Sequence, residues 1–442
     1  MEKVLRNFGG TGIFSGRPPL VWLSNQASNN GVQFGSESID NPKNRPFNPD
    51  VDAFRNLNNA TAANNTRYNL AVTVKDFKFP QIWRSNLAVD QVLPGGVTGT
   101  LEALYAKDLN AVYLRNANLN TSAYTALAGA DNRPRYTAPR IYGAANPTPA
   151  NPNISDAIVM DNTSKGHSLS LTGTLQKEFK SGFFAMMGYT YTDARSVNDG
   201  GSIAQSMWRD RYVVGDPNSE TLSYSSYMVR NRFIASVAYR KEYLKHLGTT
   251  ISLFYQLQDG LRYSYVYDND LNNDEQRGND LIYVPRNQDE IVLVPNSPTD
   301  TRTAAQMWSQ LDRYITQDRY LSTRRGKYAE RNGLVAPMIG TLDLRIAQDI
   351  FVKAGGKRNQ LQFTLDVFNF GNMINREWGV AKAVNRTSLL SYKGLDATGK
   401  PTFSFPMVDE ANGIPLTSTF YNQVDENSRW RIQIGLRYRL NQ

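Results

Sequence analysis

"RWRIQIGLRYRLNQ" occupies residues 429–442. Trp430, Ile432, Ile434, Leu436, Tyr438 and Leu440 fall on one parity, and Arg429, Arg431, Gln433, Gly435, Arg437 and Arg439 fall on the other. Side chains of a strand point alternately to its two faces, so a period of two predicts a β-strand with one apolar and one polar face. The fold turns on what covers that apolar face.

The same alternation recurs upstream. Leu169, Leu171, Leu175 and Phe179 oppose Ser168, Ser170, Thr172, Thr174 and Gln176; Ile251, Leu253, Tyr255 and Leu257 oppose Thr250, Ser252 and Gln256. Leu342, Leu344 and Ile346 oppose Asp343, Arg345 and Ala347; Leu361, Phe363, Leu365 and Val367 oppose Gln360, Gln362, Thr364 and Asp366. These segments come in pairs around short links: Pro94-Gly95-Gly96, Lys180-Ser181-Gly182, residues 240–248, and Ala354-Gly355-Gly356-Lys357. Links of this kind read as hairpins. With a segment near 4–16 and another at 427–440, ten strands are expected.

Between the pairs run long links, 17–80, 115–165, 194–223, 268–338 and 376–425, rich in Asn, Gly, Pro, Ser, Thr and aromatics. Soluble domains usually connect their elements with about 4–6 residues. Short turns at one end and long loops at the other fit an outer-membrane barrel, with the turns periplasmic and the loops extracellular. Several strands also exceed the roughly 5–6 residues usual in soluble sheets and reach the roughly 9–11 that cross a bilayer. Aromatics near strand ends, among them Phe183, Tyr189, Tyr239, Tyr263, Trp430 and Tyr438, suit interfacial girdles.

Composition agrees by exclusion. The 442 residues contain no cysteine and only two histidines, His167 and His246, which removes disulfides, thiolate metal sites and most histidine-based catalysis. The net charge of +9 is scattered without a basic run, so no nucleic-acid partner is expected. Mean hydropathy is −0.49, and no stretch reaches the roughly 18 apolar residues of a membrane helix. Alternating barrel strands escape such scans. The start, "MEKVLRNFGGTGIFSG", lacks the pattern of a secretory signal and reads as the middle of a strand.

The expected fold is therefore all-β: a portion of an antiparallel transmembrane β-barrel in the cell outer membrane, with about ten long strands and a periplasmic C-terminus. Lipid covers the apolar faces. Two other readings share the alternation: a self-contained ten-strand outer-membrane barrel acting as adhesin or hydrolase, and a soluble β-rich binding protein.

Several segments carry a resemblance. "LQFTLDVFNFGNMINREWG" (361–379) resembles the penultimate strand of TonB-dependent outer-membrane receptors, and "SRWRIQIGLRYRL" their closing strand. "DLNNDEQRGNDLIYVP" (270–285), "STRRGKYAERNGLVAPMIGTLDLRIAQDIF" (322–351) and "QIWRSNLAVDQVLPGGVTGTLEALYAKDLNAVYLRNANLN" (81–120) are similar to the Oar-like branch. The ending Leu440-Asn441-Gln442 departs from the terminal aromatic frequent in such barrels. The resemblance implies energised movement of a large substrate across the outer membrane and a 22-strand barrel filled by a plug that contacts the TonB complex. Residues 1–442 read as the C-terminal part of that barrel, with neither plug domain nor signal peptide, the remaining strands lying on other sequence. Unpaired edges are expected at 4–16 and 427–440. The glycine-rich first strand is expected to be short and a poor partner.

Three local patterns suggest sites. Asp268, Asp270, Asn272 and Asp274 stand at every second position, with Asp280 beyond, an oxygen-rich spacing suited to calcium. Asn273 and Asn279 stand where a helix-loop-helix calcium loop counted from Asp268 wants Gly and Glu, so that motif is absent. Met307, Leu311, Ile315 and Leu321 recur near helical spacing, with N-cap candidates at Ser297-Pro298-Thr299-Asp300. Loop aromatics Trp22, Trp83, Trp208, Tyr212 and Trp378 are expected to fold onto one another. His167 lies near Asp161 without a nucleophile or paired carboxylates, so no enzyme activity is expected.

Overall fold

A computed structural model of the chain describes residues 5–30, 47–53, 68–148, 151–200, 202–354 and 357–440. Val4 of the first expected strand, Gly355 and Gly356 of the last hairpin link, and Asn441 and Gln442 lie outside the described residues, as do parts of the 17–80 link.

Ten strands form one sheet in chain order: β1 (Leu5–Ser15), β2 (Gln81–Leu93), β3 (Val97–Asn116), β4 (His167–Glu178), β5 (Phe183–Ser196), β6 (Asn231–Tyr243), β7 (Leu247–Gln258), β8 (Ile339–Ala354), β9 (Lys357–Phe368) and β10 (Arg431–Arg439). Every neighbouring pair is antiparallel. The tight links follow turn chemistry. Gly95 and Gly96 take φ of 82° and 75°, where a Cβ is disfavoured, and Gly96 N–H closes the turn on the Leu93 carbonyl at 3.1 Å. The third link is shorter than the 240–248 expected. It is Leu244–His246 alone, with Leu244 and Lys245 in the left-handed region, because pairing continues to Tyr243↔Leu247.

Register aligns the apolar parity across strands. Phe183, Tyr239, Ile251, Ile346, Leu365 and Ile434 form one row from β5 to β10, and Val237, Leu253, Leu344, Val367 and Ile432 the next. No described part of the chain covers this face at its most open points: Leu101 is 70% and Ile434 79% exposed. The opposite parity is hydrogen-bonded across strands. Thr172 meets Thr190 and Ser170 meets Thr192, each at 3.1 Å, and Arg345 pairs with Asp366 at 3.3 Å. The twelve residues of β4 run to roughly 40 Å, or about 28 Å when tilted near 45°, which matches a hydrocarbon core of about 30 Å. Phe183 and Tyr239 pack at 5.1 Å beside the tight link, where a girdle belongs.

Among the described residues, β1 pairs only with β2 and β10 only with β9, so the sheet is open at the two edges expected. The first strand is not the weak partner its glycines suggested. Leu5–Ser15 pairs residue for residue from Leu5↔Gln91 to Ser15↔Gln81, since backbone bonds need no side chain.

The larger correction concerns the long links, which fold. Helices α1 (Leu20–Ser28), α2 (Ala204–Arg209) and α3 (Ala304–Gln317) lie in them, and α4 (Phe370–Ile374) follows β9 just before the last link. Asn151–Thr163 is itself a strand, pairing with the outer part of β3 and in parallel with Tyr68–Thr73. Val266–Asp268, Ser388–Leu395, Pro401–Ser404 and Val292–Leu293 make a separate four-stranded sheet. Around it, Tyr265, Leu271, Met307, Leu311, Ile315, Leu389 and Phe405 form a core with almost no exposure. The loops thus build a cap with its own hydrophobic interior at the end of the sheet opposite the tight links.

Arginine in place of Leu365 is expected to cost about 2–4 kcal/mol in folding titrations into lipid vesicles, and Thr172→Arg on the polar parity much less. Equal penalties at the two positions would rule out the assignment of faces.

Candidate functional site

The cap is held by buried polar centres that join loops distant in sequence. Arg133 is 1% exposed. Its Nε and Nη2 donate to the two oxygens of Asp131 at 2.9 and 3.0 Å, its Nη1 to Asp280 Oδ1 at 3.0 Å, and its Nη2 also to the Leu281 carbonyl at 2.5 Å. The guanidinium lies 5.0 Å from the Tyr267 ring and 5.5 Å from that of Tyr328. Burial alone would lower its pKa; the Asp131 and Asp280 carboxylates more than offset that and raise it. A second centre joins the last two long links: Asp318 Oδ2 accepts from Tyr265 Oη and from Thr419 Oγ1, each at 2.7 Å.

The sequence offered no pointer to Arg133, which sits in an unremarkable "DNRPRY" stretch about 150 residues before Asp280. Its partner was flagged for a different role. Of the five residues proposed for calcium, the structure gathers four. Asp270 accepts from the backbone N–H of Asp274 (3.1 Å) and Glu275 (2.8 Å), and Asn272 Oδ1 from that of Asp274 (3.0 Å). Asp274 Oδ1 accepts from Gln276 N–H at 2.8 Å, and its Oδ2 from the amides of Asn272 (3.0 Å) and Asn279 (3.1 Å). Asp280 Oδ2 accepts from the N–H of Leu271 and Asn272 at 2.7 and 3.1 Å. Asp268 stands apart, exposed, with its Oδ1 taking the Asn269 N–H at 3.0 Å. Asn269, Asn273 and Glu275 take φ of 70°, 61° and 71°, three left-handed positions within this turn.

Electrostatically this knot is strained. Asp270, Asp274 and Asp280 are close enough to repel, and Arg133 is shared with Asp131. Burial, then Asp280 and Asp270, pushes Asp274 up to about 8; burial and then Asp280 pushes Asp270 up to about 6; burial also raises Asp280 against the pull of Arg133. Asn279 Oδ1 is buried with no hydrogen-bond partner. An oxygen-only donor set with surplus negative charge suits a hard cation. The fit is incomplete, since among the described residues no three His, Asp or Glu side chains are grouped as a metal site; Asn272, Asn279 and carbonyl oxygens would have to contribute.

The other expectations resolve individually. In α3, Met307, Leu311 and Ile315 are buried as the spacing required, and Leu321 is buried in the turn beyond. The N-cap is Thr303, not a residue of 297–300. Thr303 and Gln306 form a reciprocal capping box, a signature closer to the apolar run, while Asp300 accepts from Arg302 at 2.9 and 2.8 Å. Trp22 and Trp208 share a small core with Leu114 and Tyr136, and Tyr212 packs on the main one. Trp83 belongs to β2 and Trp378 is exposed, so neither joins the loop packing. Asp161 turns to Arg115 at 3.4 Å.

An open antiparallel meander with an uncovered apolar face and a folded cap of loops defines an outer-membrane β-barrel protein. The chain belongs to the outer membrane beta barrel domain family, which matches residues 3–387. That span ends before β10, whose register with β9 makes it part of the same sheet. No curated protein matches the chain.

Two outcomes are expected of the buried groups. Arg133→Ala leaves Asp131 and Asp280 buried without their cation and should destabilise the cap by about 3–5 kcal/mol, read by hydrogen exchange at Leu271 and Asn272. Because Asp274 and Asp270 have folded pKa values above their unfolded ones, their contribution is complete below about pH 4 and is lost as pH rises through about 6 and about 8. In chelator, the cap should therefore melt at a higher temperature at pH 5 than at pH 8, and Asp274→Asn should shrink the difference. An unchanged difference in that variant would contradict the assignment.

Proposed function

We propose that the chain is the C-terminal part of the barrel of a TonB-dependent outer-membrane receptor of the Oar-like branch, which moves a large substrate across the outer membrane. The observation that carries this is the open sheet: ten sequential strands whose two outer edges are unpaired among the described residues. In hydrocarbon an unsatisfied backbone group costs several kcal/mol, so each edge needs a partner strand. On this reading further strands of the receptor join Leu5–Ser15 to Arg431–Arg439, the TonB complex acts through a plug domain, the tight links and the C-terminus face the periplasm, and the cap faces outward. The reading gives the chain no catalytic role.

The test uses the absence of native cysteine. Arg6→Cys or Phe8→Cys is combined with Gln433→Cys or Arg437→Cys, all on the polar parity, in outer membranes carrying the protein. If further strands lie between the edges, no intrachain disulfide forms in any combination. Efficient cross-linking in one of them would mean that the ten strands close on themselves, and would favour a self-contained barrel.

We also propose that the Asp270–Asp280 knot takes calcium through Asp270, Asn272 and Asp274, a reading favoured by the partnerless Asn279 Oδ1 beside a surplus of buried carboxylates. Calorimetry at millimolar calcium should show binding and a rise in cap stability, both lost in Asp270→Ala. No heat with the intact barrel would refute it.

A further inference from the structure

A cavity of about 750 Å³ lies at the long-loop end of β5, between residues 212–224 and 324–331. That volume is within the roughly 300–1,000 Å³ range of small-molecule sites. Its wall is unbalanced in charge: Arg195, Arg324, Lys327 and Arg331 line it against the single carboxylate of Glu330. Glu330 is already committed to Arg324 at 3.2 Å. Arg195 has Asp193 at 3.8 Å and lies 3.7 Å over the Tyr224 ring.

The half-buried Arg331 and the exposed Lys327 make no direct ion pair among the described residues. Arg331 Nη2 donates only to carbonyls, those of Ser196 (2.9 Å) and Thr221 (3.1 Å), and no carboxylate pairs with either residue among the described residues. Burial and the neighbouring Arg211 lower the Arg331 guanidinium to about 10, outweighing the opposing pull of the Asp199 carboxylate. The excess continues behind the wall. Tyr224 carries two further guanidiniums, Arg262 at 4.3 Å and Arg230 at 4.9 Å. Arg262 is 8% exposed, and its Nε and Nη2 have no hydrogen-bond partner. Asp193 is divided between Arg195 and Arg230, and Asp259 also acts on Arg262.

Buried or half-buried cations without counter-charge are costly unless something anionic completes them. Guanidiniums present paired donors that match carboxylate and phosphate oxygens, while Tyr212 and Tyr328 add apolar surface to the wall. We propose that this cavity binds a small organic anion carrying two or more carboxylate or phosphate groups, held by Lys327, Arg331 and Arg195. The site lies wholly within the described chain, so binding depends neither on a plug nor on transport, and its failure would leave the receptor reading intact.

The test is calorimetric titration of the intact outer-membrane protein, extracted folded into detergent, with citrate and, separately, with inorganic pyrophosphate, at low and moderate salt. Saturable binding of either anion, weakening as salt rises, is expected; which of the two binds more tightly distinguishes carboxylate from phosphate chemistry. Arg331→Gln should weaken binding at least tenfold. Because Arg331 also ties two loop carbonyls, the exposed Lys327→Gln provides a variant with no structural bond to lose, and it should weaken binding several-fold. Arg376→Gln, with a side chain 92% exposed on another loop, should bind as the parent does. Absence of saturable heat with both anions, or parental affinity in Lys327→Gln and Arg331→Gln together, would overturn the proposal.

Discussion

Hydrocarbon offers backbone amides no hydrogen-bond partner, so a chain that crosses it as strands must pair every strand on both sides. That one constraint orders the structure. It explains why neighbouring strands pair along their length, from Leu5↔Gln91 to Gln360↔Arg439. It also releases one face from any need for protein cover. Leu101, Leu253 and Ile434 can stay uncovered, where in water they would make an adhesive surface.

Outside the membrane the same backbone has water, and the constraint changes. The loops are long enough to bury a core, and they do so with aromatic and aliphatic side chains drawn from four different links. Hydrophobic packing alone does not fix which loop meets which. Arg133 with Asp131 and Asp280, and Asp318 with Tyr265 and Thr419, supply that specificity, because each leaves buried charge or donors unsatisfied if its partner loop is displaced. The rigid sheet end anchors the cap, and the cap in turn positions charged groups that the sheet does not carry.

The cap therefore concentrates opposite charges in separate places. Acidic groups surround Asp274, with Arg133 bound to Asp280 among them, and basic groups surround Tyr224. A scattered net charge of +9 gave no sign of either cluster.

Parity, link lengths and turn residues determined the sheet: the alternation in 429–440, the glycines of 94–96 and the spacing between hairpins specify strands, order and faces, because a period of two and a left-handed turn are local properties. The helix at Ala304–Gln317 was equally legible from Met307, Leu311 and Ile315. The sequence also marked Asp270, Asn272, Asp274 and Asp280 as a group, since they lie within one short segment. What only the tertiary structure decided is everything that joins distant segments. Arg133 meets Asp280 across about 150 residues, Arg331 meets Ser196, and Val266–Asp268 runs parallel to Ser388–Leu395. No local period announces such contacts; they arise where buried charges and backbone groups find the partners that water no longer supplies.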